Sequence, residues 1–452
     1  MAEKKKNGHW KVRIIAMLLI TAALGVSVYF EPQINAALGF TTQSESSSGG
    51  DTAGEVAESI DLDVHFVDVG QGDACILELP DDRIMLIDSG EKDSEDKLIG
   101  YIDQNIRLNG EKIDGFDIVM ITHSDSDHCG EMADVLEKYP AEVFYRPNVL
   151  ASYSGYTDPG IAAGDLYGAY ESKSTKTYRD AIEAGYAGAS VTYATDATDD
   201  EQNVIKPEGI AEGEAGYYTI TLYTPTEDTY RTGSSESSID WNNYSPIMVL
   251  EYEGKKFALS GDAEKEAEAE FVALAEAGNG KYSVFGDDYY VDVIKLGHHG
   301  SRTSTSEAYL DVMTTSASCP STLAIVSCGE GNSYGHPHEE TLERLKAYGF
   351  KDSNILRTDQ KGSIVLTVER GDGGDYALSA AFVTDSGSQS VDVEQISVPH
   401  NGGFKWRWLY IAGIIFAAAF ILIIIMPSLT PSKRKKAVRK ASDTFKSANK
   451  RK

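Results

Sequence analysis

Four side chains that can bind a metal ion lie within six residues of this sequence. They belong to the segment HSDSDH, and they are His123, Asp125, Asp127 and His128. The segment follows a short apolar run at residues 116–122, which predicts that a buried strand leads into a loop. Imidazole nitrogen and carboxylate oxygen together suit Zn²⁺, Mn²⁺ or Fe²⁺. A polar loop that only caps the next helix would explain Asp127 but not the other three residues.

Two further apolar runs end in potential metal ligands. Residues 258–262 (ALSGD) end at Asp262, and residues 293–301 (VIKLGHHGS) contain His298 and His299. The end of a strand is a rigid place to present a ligand at one edge of a sheet. Each signal is weak alone, because Gly-Asp turns are common and paired histidines are often structural. Three such strand ends in one chain predict a shared metal site.

The order HxDxDH, GD and GHHGS resembles that of the metallo-β-lactamase fold. Longer segments narrow the resemblance to the soluble hydrolase domain of the competence protein ComEC/Rec2. They occur in order between about residues 63 and 368, and they are HFVDVGQGDACILE, LIDSG, ITHSDSDHCGE, SGDAE, IKLGHHGS, NSYGHPHEETLERL and RTDQKGSI. The resemblance implies an α/β fold, namely a four-layer αββα sandwich with the metal site at one edge of its two sheets.

The resemblance also implies a ligand set for one or two divalent ions, Zn²⁺ or Mn²⁺. The first His-Asp pair of the loop would bind one ion, the second pair would bind the other, and the later carboxylate would bridge them. The implied ligands are His123, Asp125, Asp127, His128, Asp262 and His298. His298 is preferred to His299 because it is the first of the pair.

Further roles are expected around these ligands. Asp127 is placed to orient an attacking water or to protonate a leaving group, and His336 in YGHPH is expected on the substrate side. Six residues are expected to bind substrate or to support the ligands from behind, and they are Asp88, Gln71, Asp73, His299, Ser301 and His338. Structural alternatives stay open, because YGHPH can be a turn held by Pro337 and the glycines beside Gln71 can serve a hairpin.

Two departures from the family pattern affect the metal. Asp125 stands where the usual motif HxHxDH has its middle His, and no His lies between His128 and His298. One ion is then short of nitrogen ligands, which favours a harder ion such as Mn²⁺, or a weakly held or single metal. Divalent ions activate water and polarise phosphoryl or carbonyl oxygens, so we expect a metal-dependent hydrolase. The expected substrate is a phosphodiester, either a small molecule or nucleic acid. The alternatives are an ester, lactone or amide hydrolase, or a non-catalytic surface-displayed binding domain.

Strand and helix signals alternate around these motifs and predict an α/β protein. The hydrolase domain is predicted at residues 61–370, with an elaborated middle at 140–245 and a linker or terminal strand region at 371–405. Strands are expected near residues 63–69, 74–79, 83–88, 116–122, 190–193, 217–223, 247–252, 256–260, 292–296, 323–327 and 362–368. Helices are expected near residues 98–108, 131–139, 175–184 and 338–348, and in AEKEAEAEFVALAEAG.

The charge of the chain divides into two regimes. The 452 residues carry 41 Lys and Arg against 70 Asp and Glu, a net charge of -29. Residues 14–404 hold 24 basic and 68 acidic side chains, whereas both ends are basic. An acidic domain makes long DNA a poor substrate, because like charges repel. A local basic rim is expected from Lys295, Arg302, Arg357 and Lys361.

Each basic end adjoins an apolar run that predicts a transmembrane helix, at residues 14–30 and 406–426. Basic flanks stay in the cytoplasm, so residues 1–13 and 427–452 are expected inside. The hydrolase domain is then expected outside the cell, on a linker at residues 41–60. The alternatives are a cleaved signal peptide for the first run, which leaves a single C-terminal anchor, a buried core helix for the second, and a nucleic-acid-binding arm for the basic tail.

The four cysteines give a weak signal. Outside the cell a disulfide is permitted, and Cys319 and Cys328 are the nearest pair in the chain. Free buried thiols are the equal alternative.

Overall fold

The computed structural model describes residues 61–92, 97–166, 171–193, 203–225, 239–370, 376–384 and 387–391. The transmembrane helices predicted at residues 14–30 and 406–426, both basic flanks and the linker at 41–60 lie outside these ranges. Among the described residues, no helix combines the length and the apolar character needed to cross a bilayer.

A nine-stranded sheet carries the HSDSDH loop. In spatial order its strands are β10 (Ser190–Tyr193), β7 (Ala141–Arg146), β6 (Phe116–Met120), β3 (Ile84–Ile87), β2 (Cys75–Glu78), β1 (Leu62–Phe66), β18 (Ser363–Arg370), β19 (Tyr376–Thr384) and β20 (Gly387–Val391). The pairs β3–β6, β6–β7 and β7–β10 are parallel, and the other neighbours are antiparallel. β1, β3 and β6 therefore run in one direction, and their carboxyl ends meet at one edge of the sheet.

A seven-stranded sheet carries the later motifs. Its strands are β11 (Val204–Ile205), β12 (Tyr218–Tyr223), β13 (Ile247–Tyr252), β14 (Lys255–Leu259), β15 (Val293–Lys295), β16 (Leu323–Val326) and β17 (Ile355–Arg357). β14 to β17 are parallel, so their carboxyl ends also share an edge. Two small two-stranded sheets pair β4 (Arg107–Leu108) with β5 (Glu111–Lys112) and β8 (Val149–Ala151) with β9 (Glu171–Lys173).

The helices lie between the strands in sequence. They are α1 (Lys97–Asn105), α2 (Ser126–Cys129), α3 (Met132–Lys138), α4 (Pro159–Ala163), α5 (Lys176–Tyr186), α6 (Lys265–Ala277), α7 (Glu307–Met313), α8 (Glu339–Tyr348) and α9 (Thr358–Lys361). Short 3-10 helices cover Trp241–Tyr244, Gly280–Val284, Gly297–Gly300 and Asp352–Asn354. The helix predicted at residues 98–108 ends early, because Arg107 already pairs in the small sheet with Lys112.

Three hydrophobic cores arrange these elements in layers. The central core joins the two sheets, and it includes Phe66 of β1 and Phe257 of β14. The second core packs α1, α3 and α5 against the outer face of the nine-stranded sheet. The third packs α6, α7 and α8 against the seven-stranded sheet. The described residues therefore form the α/β sandwich with helices on both outer faces that was expected.

The nine-stranded sheet continues beyond residue 370, where the hydrolase domain was predicted to end. β19 pairs with β18 in register, and Leu378, Ala380 and Phe382 of β19 are buried in the central core. These residues alternate with outward-facing ones, as the period of a half-buried strand requires. Residues 376–384 and 387–391, within the region assigned to a linker or terminal strand, therefore form strands.

The cysteines take the thiol form. Cys75, Cys129, Cys319 and Cys328 are all free and buried. The disulfide considered between Cys319 and Cys328 is therefore absent. Burial raises the pKa of the Cys328 thiol to about 12, so this thiol stays protonated near neutral pH.

The elaborated middle contains a buried ion pair. Arg146 and Asp158 are 0% and 1% exposed, and their two N–O contacts each measure 2.8 Å. Asp158 also accepts hydrogen bonds from the backbone N–H groups of Ala151 and Gly160. These bonds fix the connection from β8 to α4.

Asp158→Ala should lower the free energy of unfolding by about 3–5 kcal/mol, because it leaves the Arg146 guanidinium buried without its partner. Urea unfolding followed by circular dichroism measures the change. Asp180→Ala is the control, since Asp180 pairs with the exposed Lys176 and its loss should cost less than about 1 kcal/mol. Equal effects of the two variants would contradict a structural role for the buried pair.

Candidate metal centre

The HSDSDH loop follows β6 and turns directly into α2. His123 and His128 are fully buried, whereas the Asp125 and Asp127 side chains are 33% and 24% exposed. Asp127 lies in the first turn of α2, and its backbone oxygen accepts a hydrogen bond from the Asp73 N–H. Gly72 permits this approach, because a Cβ there would lie 2.3 Å from the Asp127 oxygen. The loop after β1 therefore packs against the metal-ligand loop.

Asp88 orients the ring of His128. His128 Nδ1 lies 2.7 Å from Asp88 Oδ2, and the Thr122 N–H and hydroxyl donate to the same carboxylate at 2.8 and 2.7 Å. The ring then turns its Nε2 atom towards Asp262 Oδ1, 3.1 Å away. A carboxylate behind the far nitrogen is the usual support of a metal-binding histidine. The structure thus brings Asp88, predicted to support the loop, to His128.

The two consecutive histidines also reach Asp262. His299 Nδ1 donates to the Ser327 carbonyl oxygen at 3.0 Å, and its Nε2 lies 3.3 Å from Asp262 Oδ2 and 3.2 Å from Asp127 Oδ2. His298 Nδ1 lies 2.9 Å from Glu264 Oε1, and its Nε2 is 3.8 Å from Asp262 Oδ2. Asp262 therefore lies among three imidazole nitrogens.

Both histidines adopt left-handed backbone conformations. The φ angle is 48° at His298 and 55° at His299. Such angles are costly for residues with a side chain, and they concentrate at functional sites. Here these angles turn two successive rings towards one carboxylate. In an extended strand, the two rings would point to opposite faces.

Four residues supply ligand atoms that lie within 4.8 Å of one another, and they are Asp73, His128, Asp262 and His299. His299 belongs to this group, whereas His298, the residue preferred from the sequence, lies beside it. The reason is the turn at Gly297–Gly300, which points the second ring inward and ties the first to Glu264. Asp73 also belongs to the group, although the sequence analysis expected it to bind substrate or to support the ligands rather than to be one.

Asp73 has a buried cation as its partner. The Lys295 ammonium contacts Asp73 Oδ2, and both side chains are about 5% exposed or less. Lys295 therefore does not belong to a basic rim, contrary to the expectation. Arg302 and Arg357, also expected there, pair with Glu340 and Asp359.

Opposite charges hold the centre in an ionised state. Burial alone would lower the pKa of the His128 ring, but the Asp262 and Asp88 carboxylates raise it well above its ordinary value. Burial likewise opposes ionisation of Asp262, but His128 and His299 hold the pKa of that carboxyl well below its usual range. A bound cation would take the place of the imidazolium charges.

Buried polar atoms at the centre match a divalent ion. Among the described residues, the buried His123 Nε2 makes no hydrogen bond, and His128 Nε2 and Asp262 Oδ1 form an ion pair at 3.1 Å without hydrogen-bond geometry. An ion bound among these atoms would give each of them a partner. The mixed imidazole and carboxylate donors therefore fit a divalent metal.

The first half of the HSDSDH loop is arranged differently. His123 Nδ1 lies 3.2 Å from both Thr122 Oγ1 and Ser245 Oγ, and its Nε2 is 4.0 Å from Asp125 Oδ2. Asp125 in turn contacts the ammonium of Lys173. Neither His123 nor Asp125 joins the four-residue group, although the His123 ring centroid lies only 4.1 Å from that of His128.

The YGHPH segment borders the centre. The His336 ring centroid lies 5.2 Å from that of His298 and 5.8 Å from that of His299. Burial, with His299 and His298 nearby, lowers the pKa of His336 to about 4, so its ring is neutral at neutral pH. His338 is one step further out, and its Nδ1 accepts from the Arg302 N–H.

Two other predicted residues make internal contacts. Gln71 Oε1 accepts from the Gly329 N–H at 3.2 Å, and the Ser301 hydroxyl lies 2.9 Å from the Thr303 hydroxyl. Both bonds stabilise loops beside the centre. A substrate contact for either residue stays a prediction.

Comparison with known families agrees with this geometry. Residues 67–232 match the family profile of the metallo-beta-lactamase superfamily. The chain carries a metallo-β-lactamase domain. The profile covers the HSDSDH loop, while Asp262 and His299 lie beyond its end and are brought to the loop by the fold. The superfamily and the candidate centre together confirm the prediction of a metal-dependent hydrolase.

The relatives of this metallo-β-lactamase domain confirm the resemblance to competence proteins. The chain is 28% identical to ComE operon protein 3 of Bacillus subtilis over 315 residues, which are 67% of this chain and 32% of the relative. It is 33% identical to Competence protein ComA of Neisseria gonorrhoeae over 138 residues, 30% of this chain and 17% of the relative. The chain thus spans about a third or less of these relatives' length.

A solved structure similar to the metallo-β-lactamase domain is Igni18, described as a novel metallo hydrolase from the archaeon Ignicoccus hospitalis. The match covers 68% of this chain and 98% of Igni18, with a TM-score of 0.34 and 14% identity.

Glu264 is one residue beside the centre that the sequence analysis missed. It holds His298 and also accepts a hydrogen bond from the Thr303 hydroxyl at 2.8 Å. Its position two residues after Asp262, in SGDAE, was a usable signal, because a second acid near a strand-end ligand can support another ligand.

Asp88→Asn should weaken metal binding by about 10–100-fold, because the amide cannot hold His128 as the carboxylate does. Asn tolerates the left-handed backbone at this position, where φ is 60°, so the fold should persist. Calorimetric titration with Mn²⁺ measures the change. Asp117→Asn is the matched control, since Asp117 accepts from the Ile84 N–H. Unchanged affinity in Asp88→Asn would contradict this role.

Proposed function

We propose that the chain is a membrane-anchored, metal-dependent phosphodiesterase that acts outside the cell. The observation that supports it most is the convergence of His128, His298 and His299 on Asp262, each ring held at Nδ1 by its own acceptor. Rings held in this way have little freedom to reorient. The centre is therefore arranged for an ion before the ion arrives.

The chain's own residues divide the work at this centre. A bound divalent ion would supply Lewis acidity towards water and towards a phosphoryl oxygen. His128, His299 and Asp262 would hold it, with Asp127 at the more open side. The Asp127 side chain is 24% exposed, against 2% for Asp262, so it can reach an attacking water and accept its proton. We propose that the neutral His336 ring, which borders His298 and His299, stands on the side of the leaving group.

The choice of a phosphodiester has two supports. Relatives of this chain are named competence proteins and Recombination protein 2. The His336 ring also borders the rings of His298 and His299, where its N–H would donate to a phosphate oxygen on a bound ion. The net charge of -29 opposes long polyanions, so we propose a small phosphodiester or a short strand.

Mn²⁺ and Zn²⁺ are the proposed ions. The centre mixes imidazole and carboxylate donors, which both ions accept. The carboxylates of Asp127 and Asp262 beside two inward rings make it richer in oxygen than a three-histidine zinc site. This balance favours Mn²⁺.

The protein loaded with Mn²⁺ should hydrolyse bis-p-nitrophenyl phosphate, and Asp127→Ala should lower kcat by about 10²–10⁴-fold. His128→Ala should lose both the metal and the activity. Release of p-nitrophenol and metal analysis measure the two effects. Asp134→Ala, which removes an exposed carboxylate that pairs with Lys92, should leave both unchanged.

A chromogenic ester and a short single-stranded DNA complete the assay. Turnover of the ester without the phosphodiester would replace this proposal with an ester, lactone or amide hydrolase. Absence of metal, with identical behaviour of wild type and variants, would indicate a non-catalytic binding domain.

The membrane placement has a separate test. Two anchors at residues 14–30 and 406–426 with cytoplasmic flanks would expose residues 41–400 outside the cell. Protease added to intact cells should remove this region and leave both tagged termini protected. Protection of the whole domain would contradict the proposed orientation.

A further inference from the structure

Asp125 already has a cation from its own chain. The Lys173 ammonium donates to Asp125 Oδ1, and the two side chains are only 15% and 33% exposed. The same ammonium lies 4.8 Å from the centre of the Trp241 ring, within the range of a cation–π interaction. Lys173 therefore has an anionic partner and an aromatic partner at once.

Lys173 and Trp241 both belong to secondary structure of the elaborated middle. Lys173 ends β9, which pairs in parallel with β8, and its carbonyl oxygen accepts from the Ser152 N–H at 2.9 Å. Trp241 begins a 3-10 helix and stacks on the buried Tyr244 ring at 5.9 Å. Secondary structure therefore positions the Lys173 ammonium beside the HSDSDH loop.

An ion shared by His123 and Asp125 would compete with this ammonium for the Asp125 carboxylate. The ammonium contacts Asp125 Oδ1, while the buried His123 Nε2 lies 4.0 Å from Asp125 Oδ2. Binding the ion there would either bring two cations to one carboxylate or cost the ion pair and the contact with Trp241. In the other half of the centre, Lys295 is bound to Asp73, which leaves the Asp262 carboxylate between His128 and His299. The two halves should therefore differ in their affinity for metal.

We propose that Lys173 is a resident cation that takes the place of one divalent ion, so that the chain binds a single ion tightly. This inference rests on the proposed function, since it concerns the same centre. It gives the elaborated middle a role, namely to set the number of ions. The number of bound ions per chain can be measured whether or not hydrolysis is detected. The proposed activity and the proposed single ion can therefore be rejected independently.

The test is equilibrium dialysis of the purified full-length chain against Mn²⁺ alone, with bound metal counted per chain and examined by electron paramagnetic resonance. Wild type should bind one ion tightly. Lys173→Met should bind two, with the second at least tenfold tighter than in wild type, and neighbouring ions should give a spin-coupled signal. Lys176→Met is the matched control, because Lys176 is exposed and pairs with Asp180.

Asp125→Asn provides a second measurement that does not depend on the folding of Lys173→Met. Removing this carboxylate should leave the single tight ion in place, since that ion does not use Asp125. Three results would overturn the proposal: two ions of similar affinity in wild type, one ion in a folded Lys173→Met, or loss of the tight ion in Asp125→Asn.

Discussion

The Asp262 carboxylate is the group on which the rest of the centre depends. It is 2% exposed, and burying an ionised carboxylate is unfavourable unless positive charge lies beside it. His128 approaches one oxygen, while His299 and His298 approach the other. Each ring is held from behind by a different group. The acceptors are Asp88, the Ser327 carbonyl and Glu264.

This arrangement requires both sheets. His128 follows a strand of the nine-stranded sheet, whereas Asp262 and the histidine pair follow strands of the seven-stranded sheet. The central core, with Phe66 on one side and Phe257 on the other, therefore does more than stabilise the fold. It sets the distance between ligands that are far apart in sequence. Hydrogen bonds hold the left-handed turn at His298 and His299, because the His298 N–H donates to the Gly261 carbonyl oxygen and the Gly297 N–H donates to the Thr305 hydroxyl.

Much of the site could be predicted from local signals. HSDSDH, Asp262 and the histidine pair each end a short apolar strand, and strand ends in parallel sheets meet at one edge. The choice between His298 and His299 could not be made, because it depends on two backbone angles that spacing does not reveal. Lys295 was misplaced because lysines are seldom buried, and its partner Asp73 lies in the loop between β1 and β2 of the other sheet.

The elaborated middle shows the same limit. Lys173 meets Asp125 from 48 residues away, through a two-stranded sheet whose short strands have no distinct pattern. The four-layer fold was predictable because its strands alternate and its motifs resemble a known family. Contacts that a single long side chain makes with a residue far away in the sequence could not be predicted.

The path of the chain through the nine-stranded sheet has a mechanical consequence. Val64 of β1 lies on the same rung as Leu366, Ala380 and Val391, so the chain enters and leaves the described domain at one end of the sheet. Three strand spacings separate the two points, about 14 Å. β1 then runs away from that end towards Asp73 and the metal centre. A force applied at these two points would therefore act on one end of the sheet. The opposite end, which carries the partly exposed Asp127 carboxylate, would not bear that load directly.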